Sequence, residues 1–277
     1  MPSTQASADD YEDHVESTAL PGHVPASERS NAFAELMSPK KPKAPKPTAK
    51  GTDTTTKQTV FLGRDGLAAY TTDPASFPPS RVVYYNDKFV VINDLFPKSA
   101  VHLLILPRDP KKNIIRPQEA FDDIVFLREC QGEEKKVRSI VASELRRRYG
   151  KLSASDRPYH DALNSDDPPD ELPIGRNWEE EIISGIHANP SMNHLHIHVL
   201  SKDMTGEYMK KRNHYQSFNT EFLIGMDQYP LGEDDGRRHY GHFPEDMKCW
   251  RCGMNFGNKM TRLREHLVEE AEAWKRE

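Results

Sequence analysis

Little in this 277-residue chain would hold it together covalently or place it in a membrane. It has three cysteines, Cys130, Cys249 and Cys252, too few for a disulfide scaffold. No apolar run approaches the roughly 20 residues that a membrane-spanning helix needs. The opening stretch, MPSTQASADDYEDHVE, is acidic where a secretory signal is basic and then apolar. A soluble, intracellular protein is therefore expected. Apolar residues are scarce, at 36% against 29% charged and 21 prolines, and an average domain is more apolar. Part of the chain is thus not expected to pack. Positive charge is not in excess either: the net charge of -5 excludes a global attraction to nucleic acid and leaves only local basic patches. There is no Walker-type glycine-rich loop to cradle a triphosphate.

Residues 1–57 are rich in Ser, Thr, Ala, Pro and charge. With few side chains to offset ordering entropy, they read as a disordered tail. Asp9, Asp10, Glu12, Asp13 and Glu16 come first, and Lys40, Lys41, Lys43, Lys46 and Lys50 follow among Pro42, Pro45 and Pro47. The Lys/Pro stretch reads either as a solvated linker or as a nuclear import signal or phosphate-attracting arm. Between the two blocks, residues 30–39 offer a short helix capped by Ser30 or Asn31, with Phe33, Leu36 and Met37 on one face. It is either a partner-docking motif or a chance pattern, since it is too short to stand alone.

Order is expected from residue 58 to 225. Residues 61–70 read as a short helix, broken by SFPPS at 76–80. Residues 82–85 and 89–92 read as a hairpin turning at Asn86-Asp87. AVHLLILP, at 100–107, is a buried strand. Helical spacing runs from 118 to 149 through Phe121, Ile124, Val125, Leu127, Val137, Ile140, Val141 and Leu145, with a break expected at Gly132. Residues 151–177 read as a loop-like insertion, and 178–188 and 194–200 as two more strands. A second linker is expected over 226–247, and a compact unit of different chemistry over 248–277.

The most informative segment is NHLHIHVLS, residues 193–201. His194, His196 and His198 alternate with Leu195, Ile197 and Val199, so on a strand three imidazoles line one face and the aliphatics the other. Two functional readings compete with a structural one. A metal site is disfavoured because the strand carries no Asp, Glu or Cys and its rings are spread along a flat surface. Nucleophilic catalysis, with one imidazole attacking and its neighbours orienting it, fits better.

These residues resemble the motif of the histidine-triad (HIT) hydrolases and transferases, His-x-His-x-His followed by two apolar residues. The surroundings narrow the likeness to its DNA-deadenylating branch, the aprataxins. His187, Pro190, Ser191 and Met192 precede the triad, residues 93–110 carry an aspartate, a Pro-Lys pair and a histidine-led strand, and residues 213–222 look like a third segment of that branch. The resemblance implies an α+β fold: an antiparallel sheet with flanking helices and a small C-terminal zinc finger. It implies that His196 attacks the α-phosphate of an adenylate. His198 and Ser191 would then bind the phosphate, His187 would serve near the leaving group, and His194 would orient. Asp94 would hold the ribose hydroxyls, with Lys98 and His102 beside the pocket. Lys210, His214 and Ser217 would contact DNA. A backbone carbonyl is expected to fix the tautomer of His196.

Cys249 and Cys252 begin a metal-like constellation, and His266 follows at the separation a zinc finger uses. No second histidine lies where the fourth ligand belongs, but Glu270 sits one helical turn past His266, on the same face. Carboxylate oxygen is an acceptable zinc ligand, and the fungal members of the branch resemble this Cys, Cys, His, Glu pattern. Leu263, Leu267 and Phe256 are expected to form the finger's small core around a structural zinc. Arg251, Lys259, Arg262 and Arg264 are expected to give it a basic side for phosphates.

The expectation is a nuclear enzyme that removes AMP from 5'-adenylated DNA, with a repair-protein partner on the N-terminal tail left open. A small-molecule nucleoside phosphoramidate or dinucleoside polyphosphate hydrolase, and a non-catalytic nucleic-acid adaptor, stand as alternatives.

Overall fold

The computed structural model describes residues 63–239 and 243–277. The expected tail, its Lys/Pro stretch and the 30–39 helix lie outside the described residues. Contacts separate Met1–Val60 from Phe61–Glu277, and all the described elements belong to the second unit.

Turns over residues 64–67 lead into a short helix, α1, Ala68–Thr72, so among the described residues of the helix expected over 61–70 only 68–70 are helical. A hairpin comes next, β1 Val82–Tyr85 and β2 Phe89–Asn93, closed by Asn86, whose Oδ1 accepts from the amides of Lys88 and Phe89. Then comes β3, His102–Pro107, buried at every position. After it are α2, Pro117–Ala120, and α3, Ile124–Tyr149. The helical break falls at residues 121–123, where the Asp123 carboxylate caps α3 by accepting from the amides of Val125 and Phe126. Gly132 does not interrupt α3. The place of its missing Cβ is open space, so it costs about 1 kcal/mol against alanine inside a long packed helix. Ile124, Val125 and Ile140, which share the helical spacing, are exposed.

Residues 151–177 hold a further helix, α4 Arg157–Leu163, and are not merely a loop. Buried Asp156 accepts from the Arg176 amide at 2.7 Å and from Trp178 Nε1 at 2.6 Å, which ties the insertion down. Residues 178–181 form a 3-10 turn, so the next strand, β4, is only Ile182–His187. After β5, Ile197–Ser201, come α5, Arg212–Gln216, and β6, Leu223–Ile224.

Six strands form one antiparallel sheet in the order β1-β2-β3-β5-β4-β6. Leu103, Ile105, Ile197 and Val199 pack beneath α3 with Val137, Val141 and Leu145. The other face of β3 and β5 carries His102 and His198, in the register Leu104 to His198.

Residues 226–247, expected as a linker, place Met226, Tyr229 and Leu231 in the main core. The C-terminal piece is a hairpin, β7 Met247–Lys248 and β8 Asn255–Gly257, followed by α6, Met260–Trp274. Its helix does not close a private core. Leu263 and Leu267 are buried among Leu200, Met204, Met209, Tyr215 and Phe218, and Phe256 packs only partly buried at the edge. Trp274 enters the main core beside Trp178 and Tyr149. An apolar helix stripe next to an uncovered sheet end is more completely desolvated by docking there than by folding on itself.

Candidate active site and metal centre

His198 stands at the centre of a ring cluster. Its centroid lies 4.5 Å from His187, 4.9 Å from His196 and 5.2 Å from His102. Sheet register explains the convergence. Gly185 of β4 pairs with His198, so His187, two residues on, shares its face. Phe218 covers the cluster, with centroids 4.8, 5.0 and 5.5 Å from His187, His198 and His102. Only His198 lies within the regular strand; His194 and His196 are on its lead-in. The ring of His194 joins none of these pairs, and its backbone carries its contribution.

That contribution is the carbonyl oxygen of His194, 2.7 Å from His196 Nδ1. A carbonyl only accepts, so Nδ1 holds the proton and Nε2 carries the lone pair. A second assignment rests on the same logic. The Lys98 amide donates to His102 Nδ1 at 3.2 Å, and His102 Nε2 lies 3.0 Å from His198 Nδ1. His102 then donates through Nε2, and His198 carries its own proton on Nε2. Asp94 Oδ2 also reaches His102 Nδ1, at 3.2 Å. Asp94, His102 and His198 bring possible ligand atoms together, but His102 spends its Nδ1 lone pair on the Lys98 amide and its Nε2 proton on His198, so Asp94 acts on this ring through its charge and not through a hydrogen bond.

Burial dominates the protonation of the cluster. It lowers His102 to about 4, with Asp94 opposing. It pushes His187 and His198 well below the usual imidazole value, with neighbouring histidines and Lys98 adding to the effect. It lowers His196 too, against the pull of the His194 carbonyl and Asp94. The rings are neutral at neutral pH, as an attacking imidazole must be. His187 is half-buried as a residue, yet its Nε2, like that of His198, is enclosed and has no hydrogen-bond partner among the described residues. Enclosed polar atoms of this kind call for a partner that a bound oxyanion can supply.

The remaining candidates fall around this centre. Asp94 holds the Phe96 amide at 2.8 Å, and Lys98 Nζ donates to the Phe96 carbonyl at 2.8 Å. Ser191 is exposed on the loop before the triad. Lys210 is exposed, its Nζ 4.9 Å from the Tyr208 ring centroid. His214, near the start of α5, lies 2.8 Å through Nδ1 from the Tyr208 carbonyl. Ser217 is buried and directs its hydroxyl proton at the His214 carbonyl.

Sequence reasoning missed Phe218, Asp203 and Gly206. Buried Asp203 accepts from the amides of Ala100 and Thr205 at 3.0 Å and from the hydroxyls of Ser201 and Thr205. Gly206 lies so close to the loop carrying Lys98 that a Cβ would be 2.3 Å from the Lys98 carbonyl carbon. An unexplained glycine shortly after the triad was the available signal.

At the other site, Cys249, Cys252, His266 and Glu270 bring one donor atom each within 4.8 Å of one another. Cys252 Sγ is 3.1 Å from His266 Nε2, which is 3.2 Å from Glu270 Oε1. Ligands around a tetrahedral zinc are about 3.5 Å apart, so the donor set and its spacing fit that ion. It would cross-link the hairpin to α6. Glu269 faces solvent.

Fold and site together define a hydrolase of the histidine-triad class with an integral zinc-type finger. The HIT domain family matches residues 77–205, and the C2HE / C2H2 / C2HC zinc-binding finger family matches residues 219–273. The chain belongs to the aprataxin family. It is 34% identical to the aprataxin-like protein of Saccharomyces cerevisiae, over 75% of this chain and 95% of that one. It is 32% identical to the aprataxin-like protein of Schizosaccharomyces pombe, over 76% and 82%. Among solved structures it is similar to the aprataxin ortholog Hnt3 from Schizosaccharomyces pombe, with TM-score 0.60 and 29% identity over 78% of this chain and 95% of that one. Hnt3 in complex with DNA aligns with TM-score 0.57 and 28% identity, over 76% and 96%.

Proposed function

We propose that this chain acts in DNA repair by removing AMP from 5'-adenylated DNA ends left by abortive ligation. The observation that carries the reading is the His196 ring. Its proton is directed at the His194 carbonyl, its Nε2 lone pair is free to attack, and it adjoins enclosed nitrogens suited to a phosphate. Nε2 attacks the α-phosphorus, and the bond to the DNA 5'-phosphate oxygen breaks, leaving AMP joined to His196 through a P–N bond. Water then cleaves that bond, giving AMP and restoring the imidazole. The Nε2–H of His198 stabilises the charge that builds on the phosphoryl oxygens. His187 serves the departing 5'-phosphate, Ser191 and Lys98 complete the phosphate pocket, and Asp94 holds the ribose.

Zinc on Cys249, Cys252, His266 and Glu270 is a structural cross-link in this reading and takes no part in the chemistry. Exposed Lys259, Arg262 and Arg264, with Lys210 and the α5 segment around His214, grip the duplex backbone. Hnt3 in complex with DNA supports a DNA substrate for this relative. Nuclear residence through the Lys/Pro stretch and a repair-protein partner on the N-terminal tail complete the proposal. The test compares turnover on a nicked duplex bearing a 5'-adenylate with turnover on free adenosine phosphoramidate. Preference for the duplex is expected. Preference for the small substrate would favour the small-molecule hydrolase, and no turnover of either would favour an adaptor.

A further inference from the structure

The metal cluster has a neighbour that its four ligands do not explain. Arg251 stands between the two cysteines in sequence and forks across two carboxylates: Nη1 pairs with Glu270 Oε2, and Nη2 pairs with Glu277 Oε1. Glu270 therefore has one oxygen held by the guanidinium and turns the other, Oε1, toward His266 Nε2 at 3.2 Å. Each carboxylate takes one charge-assisted N–H, and the planar guanidinium sets the direction of that bond more narrowly than a flexible ammonium would. Charge points the same way. A divalent ion with two thiolates and one carboxylate is net negative, whereas the two-Cys, two-His set is neutral. The guanidinium, itself half-buried, supplies the missing positive charge.

The other arm of the fork leads into the catalytic unit. The Glu277 carbonyl accepts from the Ser155 amide at 2.8 Å, and Glu277 Oε2 lies 3.5 Å from Arg176. Arg176 donates to the Trp274 carbonyl at 2.6 Å and pairs with Glu181 at 3.0 Å. Its guanidinium lies 4.4 Å from the Trp178 ring centroid and 5.2 Å from that of Trp274. Glu181 immediately precedes β4, the strand that ends in His187.

We propose that Arg251 is the positioning residue that makes Glu270 a zinc ligand, and that the same side chain fastens the metal centre to the base of β4 through Glu277 and Arg176. This rests on reading the cluster as a zinc site. In that role Arg251 orients the ligand and balances its charge without touching the ion, the kind of support whose loss typically lowers metal affinity about 10- to 100-fold.

The experiment measures zinc affinity of the full chain by competition with a chromophoric chelator, in four proteins: wild type, Arg251→Gln, Glu270→His and the double variant. Arg251→Gln is expected to weaken zinc binding at least tenfold in the wild-type background and less than threefold in the Glu270→His background, where no carboxylate remains to be oriented. Circular dichroism checks the fold. If Arg251→Gln does not fold, Arg251→Lys replaces it; it keeps the charge but cannot fork, and the same contrast between backgrounds is expected. Unchanged affinity in the first background, or an equal loss in both, would overturn the proposal. Absence of zinc binding by the wild type would instead overturn the zinc reading beneath it.

Discussion

His196 Nδ1 and the carbonyl oxygen of His194 are 2.7 Å apart, so the nucleophile is oriented by its neighbour's backbone and not by its neighbour's ring. His194→Ala keeps that carbonyl. It is expected to lower kcat less than about tenfold, whereas His196→Ala lowers it by about 10^4-fold or more, as removal of a nucleophile does. Single-turnover rates on adenylated duplex check the pair. Equal losses would mean that the His194 ring takes part in the chemistry.

Buried neutral histidines make stability depend on acid. An unfolded histidine takes up its proton near pH 6.5, while folded His102 does so only at about 4. Between those values the unfolded chain binds more protons than the folded one, so stability falls as pH falls. Each such group contributes a slope of about 1.4 kcal/mol per pH unit. His187, His196 and His198 are lowered as well and add to it. Tm is expected to drop steeply from pH 6.5 toward pH 4 and to be insensitive to these groups above that window. A shallower slope in His102→Gln, measured by thermal denaturation across the range, identifies the contribution of His102.

Asp94 touches His102 as well as standing at the expected ribose position. From sequence alone, Asp94→Ala is expected to raise KM with little change in kcat, as loss of a ground-state contact does. With the charge of Asp94 set 3.2 Å from His102 Nδ1, Asp94→Ala is expected to raise KM and also to lower kcat about tenfold, through the ring that contacts His198. Steady-state kinetics separate the two effects.

The finger and the catalytic sheet are expected to melt together. Leu263, Leu267 and Trp274 are buried against the catalytic unit, so chelation or Cys249→Ala should lower the Tm of one cooperative transition and not release a separate one. Trp274→Ala should cost about 3–5 kcal/mol, or about 10 °C in Tm. Glu270→Ala should lose zinc and Glu269→Ala, which faces solvent, should keep it. Calorimetry and metal analysis test these outcomes.

Local periodicity made the hairpin, β3 and the alternation around His198 legible, because each is set by neighbours in sequence. The docking of α6 was not, since an apolar stripe such as Leu263 and Leu267 does not say which surface it will cover. The break before α3 lay in the capping chemistry of Asp123 and was masked by the more conspicuous Gly132. At the candidate site, the triad and the four metal donors stand out by spacing. Phe218, Asp203 and Gly206 act only through contacts the chain makes after folding; Phe218 and Asp203 look ordinary in the sequence, and only the glycine stood out. The linker reading at 226–247 and the loop reading at 151–177 missed their anchors for a related reason. Sparse anchors such as Tyr229, Asp156 and Arg176 tie down stretches whose composition is polar.

Covalent catalysis by His196 on adenylated DNA is tested by catching the enzyme in the act. A reaction with a 5'-adenylated nicked duplex is quenched rapidly in alkali, where a P–N bond to histidine survives, and the protein is mapped by mass spectrometry of its peptides. AMP attached to His196, appearing and decaying at rates that match the release of AMP and a 5'-phosphate end, is the predicted result. AMP on another residue, or product formed with kinetics that exclude an enzyme-bound adenylate, would contradict it.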